Sequence, residues 1–555
     1  MRPSVSRPSA WFWVLLSGAV LGASLLISWD GIPAALGQDA GDGGAGEAPA
    51  HYGLWSLLPP AIALGLAYAT RQVLPALFLG VISGSVVVFF HTYEWSDLNF
   101  LSKFFIPALG SANYAKILLI YLWFLGGILG IWAKTGGARY FAERVGAALA
   151  KGPRGSKFFA WTIGCIFHQG GTVSTVLAGT TVKPVADRHR VSHEELSYIV
   201  DSTASPVATI IPFNAWPAYI GGLVAGLQLA PEGQETFVLI PTSEEGVSWF
   251  LRSIPWNFYA IFAVISTLLL SLEVLPWTGR VMKQATRRAR ETGKLDADSA
   301  APLIDSQEMA GREHEGYRTG LVDFLVPLGV LLGVVIVPFV WTGGSTLPIG
   351  EAFLSCTLSA MVIARAKGMP LRVVLDAFLD GCKSMTFGAI ILGLAVTLGA
   401  VSRELGTANY LIAGVGEWFP TLLLPMALTL ICMAVAFSIG SSWGTYAVMF
   451  PISVPLALHL AIQAQGLGAE PIASLAETHP DEWAHVLLYV SVCFGAVMGG
   501  SVFGDQCSPI SDTTILSSMF TGCDLMDHVR TQLPLALVAA GLGAICSTLV
   551  VLIAT

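Results

Sequence analysis

Charged side chains are the scarcest feature of this 555-residue sequence. It has only 29 Lys and Arg and 37 Asp and Glu, so charged residues make up 12% of the chain, against about 25% in soluble globular proteins. Hydrophobic residues make up 54%, the mean hydropathy is +0.67, and apolar runs of spanning length recur along the chain. This composition excludes a soluble protein and predicts an all-α, polytopic membrane protein.

Several chemical motifs are absent as well. The eight cysteines form no C-x-x-C pair, so neither disulfides nor a structural metal site is predicted. The chain contains no H-E-x-x-H and no Walker motif, which argues against a metalloprotease and an ATP-driven pump. A net charge of −8 provides no basic surface for nucleic acid. We therefore expect no cofactor, no enzymatic activity and no nucleic-acid partner.

One segment, Gly440-Ser441-Ser442-Trp443-Gly444, fits the G-x-S-x-G pattern of serine hydrolases. That motif requires a strand-to-helix elbow with His and Asp partners. Here it lies inside a long apolar run, and only His459 is near it in sequence. The context therefore favours a loop inside the membrane over a hydrolase. An ion channel stays open as another class, and it would not couple the flux of one ion to the opposite flux of another.

Residues 1–52 are predicted to be an N-terminal signal or anchor helix followed by an external linker. The apolar run 11–29 follows Arg2 and Arg7, and it is longer than the usual signal core of about 7–15 residues. Ala35-Leu36-Gly37 nevertheless provides a small-residue cleavage site. Both alternatives remain open.

The positions of the basic residues indicate how the chain crosses the membrane. Spans are predicted at 53–70, 73–90, 113–133, 194–225, 253–278, 320–341, 349–364, 384–402, 484–520 and 532–553. Basic clusters flank the apolar segment 158–182 on both sides, whereas no Lys or Arg occurs between residues 404 and 529. Because basic loops stay in the cytoplasm, we interpret 158–182 and 421–461 as re-entrant hairpins that enter from opposite sides. Only four of the 29 basic residues then lie outside: Lys103, Lys116, Arg252 and Arg403.

This arrangement divides the chain into two similar halves. The hydrophilic stretch 279–319 is predicted to be a cytoplasmic linker between a first repeat, 53–278, and a second repeat, 320–555. Each repeat has three spans, a hairpin and two spans, and the two begin on opposite sides of the membrane. Inverted repeats of this kind are typical of secondary transporters, whose discontinuous helices hold the substrate at the midplane.

Both halves place an acidic residue shortly before a Ser-Pro pair. The first half contains Asp201-Ser202-Thr203-Ala204-Ser205-Pro206, and the second contains Gly504-Asp505-Gln506-Cys507-Ser508-Pro509. Proline removes a backbone hydrogen bond and crowds a carbonyl, so we expect Pro206 and Pro509 to break their helices. In a membrane, freed carbonyls are tolerated only where they line a cavity or are buried in protein.

The second of these segments extends into a longer motif. The sequence from Gly504 to Ser518, with Asp527-His528 and Gln532-Leu533-Pro534 after it, resembles the NhaC family of sodium/proton antiporters. Three pieces are similar to the first half of that family: the stretch from Gly164 through Gly179, the break from Asp201 to Pro206, and Trp216. The resemblance therefore covers residues 53–553.

The resemblance implies a cation/proton antiporter of the bacterial inner membrane, built from inverted repeats with hairpins. Gln506 departs from the pattern, since many relatives would have His there, and the pH dependence could differ accordingly. The family also contains members that resemble sodium-coupled malate/lactate exchangers, which leaves the substrate open.

Intramembrane carboxylates mark the candidate ion site, because burying such charges is expensive and they usually line ion or proton paths. The candidates are Asp201, Asp505 and Asp512, with Na⁺ expected at Asp201 and Asp505. Asp505 could instead cap its helix break. One carboxylate can hold either H⁺ or Na⁺, and alternating exposure of such a site produces exchange.

Hydroxyl groups are expected to complete the site, either from the breaks or from the hairpin tips. The candidates are Ser205, Ser508, Thr172, Ser174, Thr175, Ser442 and Thr445. The alternative is that these side chains only bond their own helix backbone. His168 beside the first tip is a candidate pH sensor, or a side chain that bonds across helices.

The function predicted from the sequence is Na⁺/H⁺ exchange by a multi-pass protein of the bacterial inner membrane. Its partners are Na⁺, H⁺ and the lipid bilayer, and the sequence leaves a homodimer open. The alternative is Na⁺- or H⁺-coupled exchange of a small organic anion or amino acid, for which Trp443, Asn214 and Gln169 are the only hints.

Overall fold

The computed structural model describes residues 51–554 with internal gaps. The gaps are 71, 111–113, 116–117, 119–122, 142–143, 145–149, 169–174, 176–181, 230–236, 302–313, 315, 342–347, 408–409, 411–418, 469 and 510. The predicted signal or anchor, the first hairpin tip with Thr172 and Ser174, and Gln169 therefore lie outside the described residues.

The described part of the chain is almost entirely helical. In chain order, the main helices are α1 Leu58–Thr70, α2 Val73–Thr92, α3 Trp123–Thr135, α4 Gly152–Ile166, α5 His193–Ser202, α6 Ser205–Ala208, α7 Trp216–Val224, α8 Ser243–Ser253, α9 Phe258–Ser271, α10 Arg280–Thr292, α11 Val322–Trp341, α12 Ile349–Ala366, α13 Leu371–Ser384, α14 Thr386–Glu404, α15 Leu424–Ile439, α16 Ser442–Ala464, α17 Pro480–Cys507, α18 Asp512–Thr521 and α19 Leu525–Ala554. Two short strands, β1 Gln228–Leu229 and β2 Phe237–Val238, pair antiparallel.

Among the described residues, five helices are long and apolar enough to cross a membrane, and α8 with α9 forms a sixth, bent candidate. The five are Leu74–Thr92, Thr421–Ile439, Ser442–Ala464, Pro480–Cys507 and Leu525–Ile553. The all-α, polytopic membrane class is thus confirmed. The inverted repeats, their boundaries and the re-entrant course of the hairpins stay predictions.

Two predicted spans are interrupted helices. The span 194–225 consists of α5, α6 and α7, and 484–520 consists of α17 and α18. The interruptions lie next to Pro206, the second residue of α6, and at Ser508–Ser511, which includes Pro509.

The sequence analysis missed α13, an amphipathic helix that packs against α3. Gly126 and Gly130 of α3 allow this approach, because a Cβ at either would lie within 2.5 Å of a backbone oxygen of α13. The two glycines are four residues apart and face one helix, as small residues do at close helix contacts in membranes.

Helix α17 is the most deeply buried of the candidate spans, since 89% of its apolar stretch is buried inside the protein. It packs against both α15 and α16. Gly504 makes this contact close, since a Cβ there would lie 2.2 Å from the Ala436 carbonyl carbon of α15. The chain reverses between α15 and α16 at Gly440, whose left-handed φ of 71° favours glycine. These contacts bring the turn between α15 and α16 to the end of α17.

Candidate ion-binding site

Asp505 lies in the last turn of α17, where three hydroxyl groups converge on its carboxylate. Ser442 and Ser205 donate to Oδ2 at 2.8 and 2.9 Å, and Ser511 donates to Oδ1 at 3.1 Å. The residue is only 4% exposed. Hydrogen bonds to an ionised acceptor are stronger than neutral ones, so this arrangement suits a buried carboxylate that carries charge.

Each hydroxyl reaches Asp505 because a helix begins or ends beside it. Ser442 is the first residue of α16, after the Gly440 turn, and Ser441 caps that helix by accepting from the Gly444 amide at 3.3 Å. Ser205 is the first residue of α6, just after α5 ends. Ser511 precedes α18 in the break that follows α17. Three helix ends thus meet at one carboxylate.

Side chains donate hydrogen bonds to the backbone carbonyls at the end of α17. Thr513 and Thr514 each donate to the Asp505 carbonyl at 3.0 Å. Gln532 donates to the Gln506 carbonyl at 2.6 Å. The site is therefore rich in oxygen atoms, and side chains of α18 and α19 hold its backbone carbonyls in place by hydrogen bonds.

Asp201 has a different environment, although it precedes a Ser-Pro pair as Asp505 does. It is 0% exposed, and its Oδ2 lies 3.0 Å from Nε2 of His528, a residue of α19. Ser517 Oγ is 3.1 Å from the same nitrogen. Asp201 Oδ1 and His528 Nδ1 have no hydrogen-bond partner within the described ranges. Asp201 and His528 form a buried acid–imidazole pair.

A hydrogen-bonded bridge connects the helices of the two carboxylates. Gln506 donates to Ser202 at 2.6 Å and accepts from the Tyr259 hydroxyl at 2.5 Å. Ser202 follows Asp201 in sequence, and Gln506 follows Asp505. The amide of Gln506 thus joins α17 to α5 and α9 beside both acids.

The other predicted residues have varied surroundings. Thr445 donates to the Ser441 carbonyl at 2.9 Å, which is the backbone bonding expected of a hydroxyl without a ligand role. His168 is buried, with Nδ1 2.9 Å from the Cys165 carbonyl. Ser508 and Thr175 are buried, and Asp512 is the first residue of α18.

Five residues that contact the two acids or the backbone carbonyls at the end of α17 had no predicted role: Ser511, Thr513, Thr514, His528 and Gln532. All five belong to the quoted motif and its continuation, but the sequence analysis assigned a role only to Asp505, Ser508, Pro509 and Asp512 of that motif. Hydroxyl, imidazole and amide groups inside apolar spans were the available signal.

Asn214 and Trp443, two of the three residues that hinted at an organic-substrate site, hold helices in place. The Asn214 amide donates to the carbonyls of Ala208 and Ile211 at 2.7 and 2.6 Å, and its oxygen accepts from the Trp216 amide at 2.8 Å. Trp443 packs on Tyr219 with ring centroids 4.2 Å apart. The Asn214 hydrogen bonds hold the turn before α7, and the Trp443–Tyr219 contact packs the start of α16 against α7.

Sequence comparisons identify relatives of the chain. An uncharacterized protein of Haemophilus influenzae is 29% identical over 515 residues, which cover 88% of this chain and 89% of that protein. The malate-2H(+)/Na(+)-lactate antiporter of Bacillus subtilis is 28% identical over 41% of this chain and 43% of its own. The Na(+)/H(+) antiporter NhaC of Alkalihalophilus pseudofirmus is 29% identical over 37% of this chain and 38% of its own.

The chain thus spans less than half of the two named antiporters. Residues 207–551, more than half of the chain, match the model of the Na⁺/H⁺ antiporter family. This range includes α17, α18 and most of α19, and with them Asp505, Ser442 and Ser511, whereas Asp201 and Ser205 precede it. The chain belongs to the Na⁺/H⁺ antiporter family.

Proposed function

We propose that this multi-pass membrane protein exchanges Na⁺ for H⁺ across the bacterial inner membrane by alternating access. The observation that carries the proposal is the convergence of the Ser205, Ser442 and Ser511 hydroxyls on the Asp505 carboxylate. Carboxylate and hydroxyl oxygens suit small, hard cations. The family match and the similarity to an NhaC antiporter support this cargo.

Asp505 can hold Na⁺ or H⁺, but not both at once. When Na⁺ binds, the hydroxyl groups that now donate to the carboxylate can turn and direct their lone pairs to the ion. When a proton binds, the carboxylate becomes neutral and its attraction for Na⁺ is lost. Exposure of the site to the two sides in turn then exchanges one ion for the other.

The Asp201–His528 pair provides a second place for a proton. One proton shared between a carboxylate and an imidazole leaves the pair with no net charge, which reduces the penalty for burying it. The Ser202–Gln506 hydrogen bond joins this pair to the helix of Asp505. We infer that proton occupancy at Asp201 and ion occupancy at Asp505 influence each other.

Coupled exchange of an organic anion is the second candidate, because one relative is a malate-2H(+)/Na(+)-lactate antiporter. Such a substrate would need a cationic or amide group free to bind its carboxylate. The Asn214 amide hydrogens are donated to backbone carbonyls, so this residue is not available. That contact favours the inorganic cation.

Dye-monitored exchange in everted vesicles tests the proposal. The vesicle interior is made acidic, and Na⁺, Li⁺, K⁺ or malate is added in turn. We expect Na⁺ to dissipate the gradient and malate to leave it intact. Dissipation by malate with no response to Na⁺ at any pH would overturn the proposal.

Variants of the site sharpen this assay. Asp505→Asn should abolish the response, whereas Asp376→Asn on the surface of α13 should retain it. Ser442→Ala should weaken the apparent affinity for Na⁺ about tenfold or more, since it removes an oxygen that can turn to the ion, and a polar contact with a charged group contributes about 1.5–3 kcal/mol. Thr445→Val is the matched control, because Thr445 bonds only the Ser441 carbonyl among the contacts described. Equal effects of Ser442→Ala and Thr445→Val would remove Ser442 from the site.

A further inference from the structure

A basic cavity of about 480 Å³ lies between the end of α9, helix α10 and the start of α4. Its charged lining residues are Lys157, Glu195, Glu273, Arg280, Lys283, Arg287 and Arg290. Five of these are basic and two are acidic, so the cavity attracts anions. It is separate from the Asp505 site, with which it shares no lining residue.

Both acidic side chains of the cavity are already paired with cations. Glu195 lies 3.0 Å from buried Lys157, and Glu273 lies 3.1 Å from the same ammonium. Glu273 also pairs with Arg154 and Arg290. These contacts neutralise Lys157 and Arg290 and form the inner wall of the cavity.

The remaining cations form its open rim. Arg280 and Lys283 make no ion pair in the part of the chain that the structure describes, and both are exposed. Arg287 is 71% exposed, and its nearest carboxylate, Glu291, is 3.9 Å away. Helix α10 buries Met282, Ala285 and Ala289 on its opposite face. The rim therefore presents cationic groups with free hydrogen-bond donors.

Exposed apolar residues precede Leu275 and Thr278, which line the cavity, in the sequence. Val274 is 59% and Trp277 51% exposed, and both lie in the segment between the apolar helix α9 and α10. Tryptophan at such a position is typical of the membrane–water interface. The cavity thus combines a cationic rim with a surface suited to the edge of the bilayer.

We propose that this cavity binds the phosphate of an anionic phospholipid from the cytoplasmic leaflet. The Arg280 guanidinium and the Lys283 ammonium match the charge and donor geometry that phosphate oxygens require. Basic pockets on the cytoplasmic side of membrane helices suit such headgroups. Free phosphate shares this chemistry, but Val274 and Trp277 favour a ligand that also has acyl chains.

Thermal unfolding of the purified full-length protein in neutral detergent tests this site. We expect phosphatidylglycerol to raise the Tm, phosphatidylcholine to leave it unchanged and inorganic phosphate to raise it less. The Arg280→Gln/Lys283→Gln double variant should bind phosphatidylglycerol about 30-fold more weakly, which corresponds to about 1 kcal/mol for each basic residue.

The matched control is Arg372→Gln/Lys383→Gln on α13, where the two side chains are 93% and 75% exposed. It removes the same charge, so it should keep the lipid response. The Lys283→Glu variant should weaken binding more than Lys283→Gln. Because the rim side chains are exposed, all variants should have the wild-type Tm without lipid.

Three outcomes would overturn the proposal. Equal weakening in both double variants would mean nonspecific attraction to charge, and an equal response to phosphatidylcholine would remove the role of the anionic head. A full response to inorganic phosphate alone would make the ligand a soluble anion. Since the readout is binding and not transport, failure here would leave the proposed ion exchange untouched.

Discussion

Replacing Gly504 with Ala should disturb the candidate ion site through helix packing alone. A Cβ at this position would lie 2.2 Å from the carbonyl carbon and 2.3 Å from the Cβ of Ala436, and 2.3 Å from the Phe437 amide nitrogen. Ordinary contacts begin at 3.4 Å, so α15 and α17 must separate by about 1.2 Å. The obstacle is mostly backbone, which cannot rotate away.

Two effects follow from this separation. Overpacking of a core costs about 1–3 kcal/mol, so the protein should unfold at a lower temperature. Ser442 begins the helix after α15, and its hydrogen bond to Asp505 is 2.8 Å long. If the full displacement falls along that bond, the distance becomes about 4 Å, which is too long for a hydrogen bond. The apparent affinity for Na⁺ should then fall about as far as in Ser442→Ala.

The assay measures the Tm and the Na⁺ dependence of exchange for Gly504→Ala. Its matched control is Gly541→Ala in α19, where an added Cβ would meet no atom within 4 Å. Alanine stabilises a helix interior by about 0.5–1 kcal/mol relative to glycine, so the control should be neutral or slightly stabilised. A wild-type Tm together with wild-type Na⁺ affinity in Gly504→Ala would refute the close approach of α15 and α17.

Two further predictions concern charged contacts at the end of α5 that meets the linker. Burial lowers the pKa of His193, which precedes the predicted span, but hydrogen bonds with Asp187 and Asp296 outweigh burial and raise the pKa above 6.5. The contribution of protonated His193 to the stability of the fold is therefore complete below about pH 6.5 and is lost as the pH rises through the raised pKa. His193→Gln should lower the Tm more at about pH 6 than at about pH 9. An equal loss of Tm at both pH values would contradict this. Lys157→Gln should lower the free energy of unfolding, measured with a chemical denaturant, by about 3–5 kcal/mol because it leaves Glu195 buried without its cation. The double variant Lys157→Met/Glu195→Leu should recover part of that free energy. No recovery would show that packing, not charge, dominates.

The residues of the candidate ion site differ in how far the sequence could predict them. Asp201 and Asp505 stand out because carboxylates are rare inside apolar spans, and the prolines beside them indicate broken helices. Thr445 and Ser442 look alike in sequence, three residues apart, yet only Ser442 contacts Asp505 while Thr445 bonds its own helix. Local pattern cannot separate two hydroxyls on the same turn, because their roles depend on which face meets another helix.

The sequence by itself determined that the protein is helical, lies in the membrane and places acids beside broken helices. These properties depend on composition and local pattern: little charge, apolar runs of spanning length, and proline after serine. Only the tertiary structure decided the partners of those acids. Asp505 meets Ser205 from 300 residues away, and Asp201 meets His528 from 327 residues away. Such pairs form where helix ends pack together, so the two similar motifs acquire different chemistry, one ringed by hydroxyls and the other joined to an imidazole.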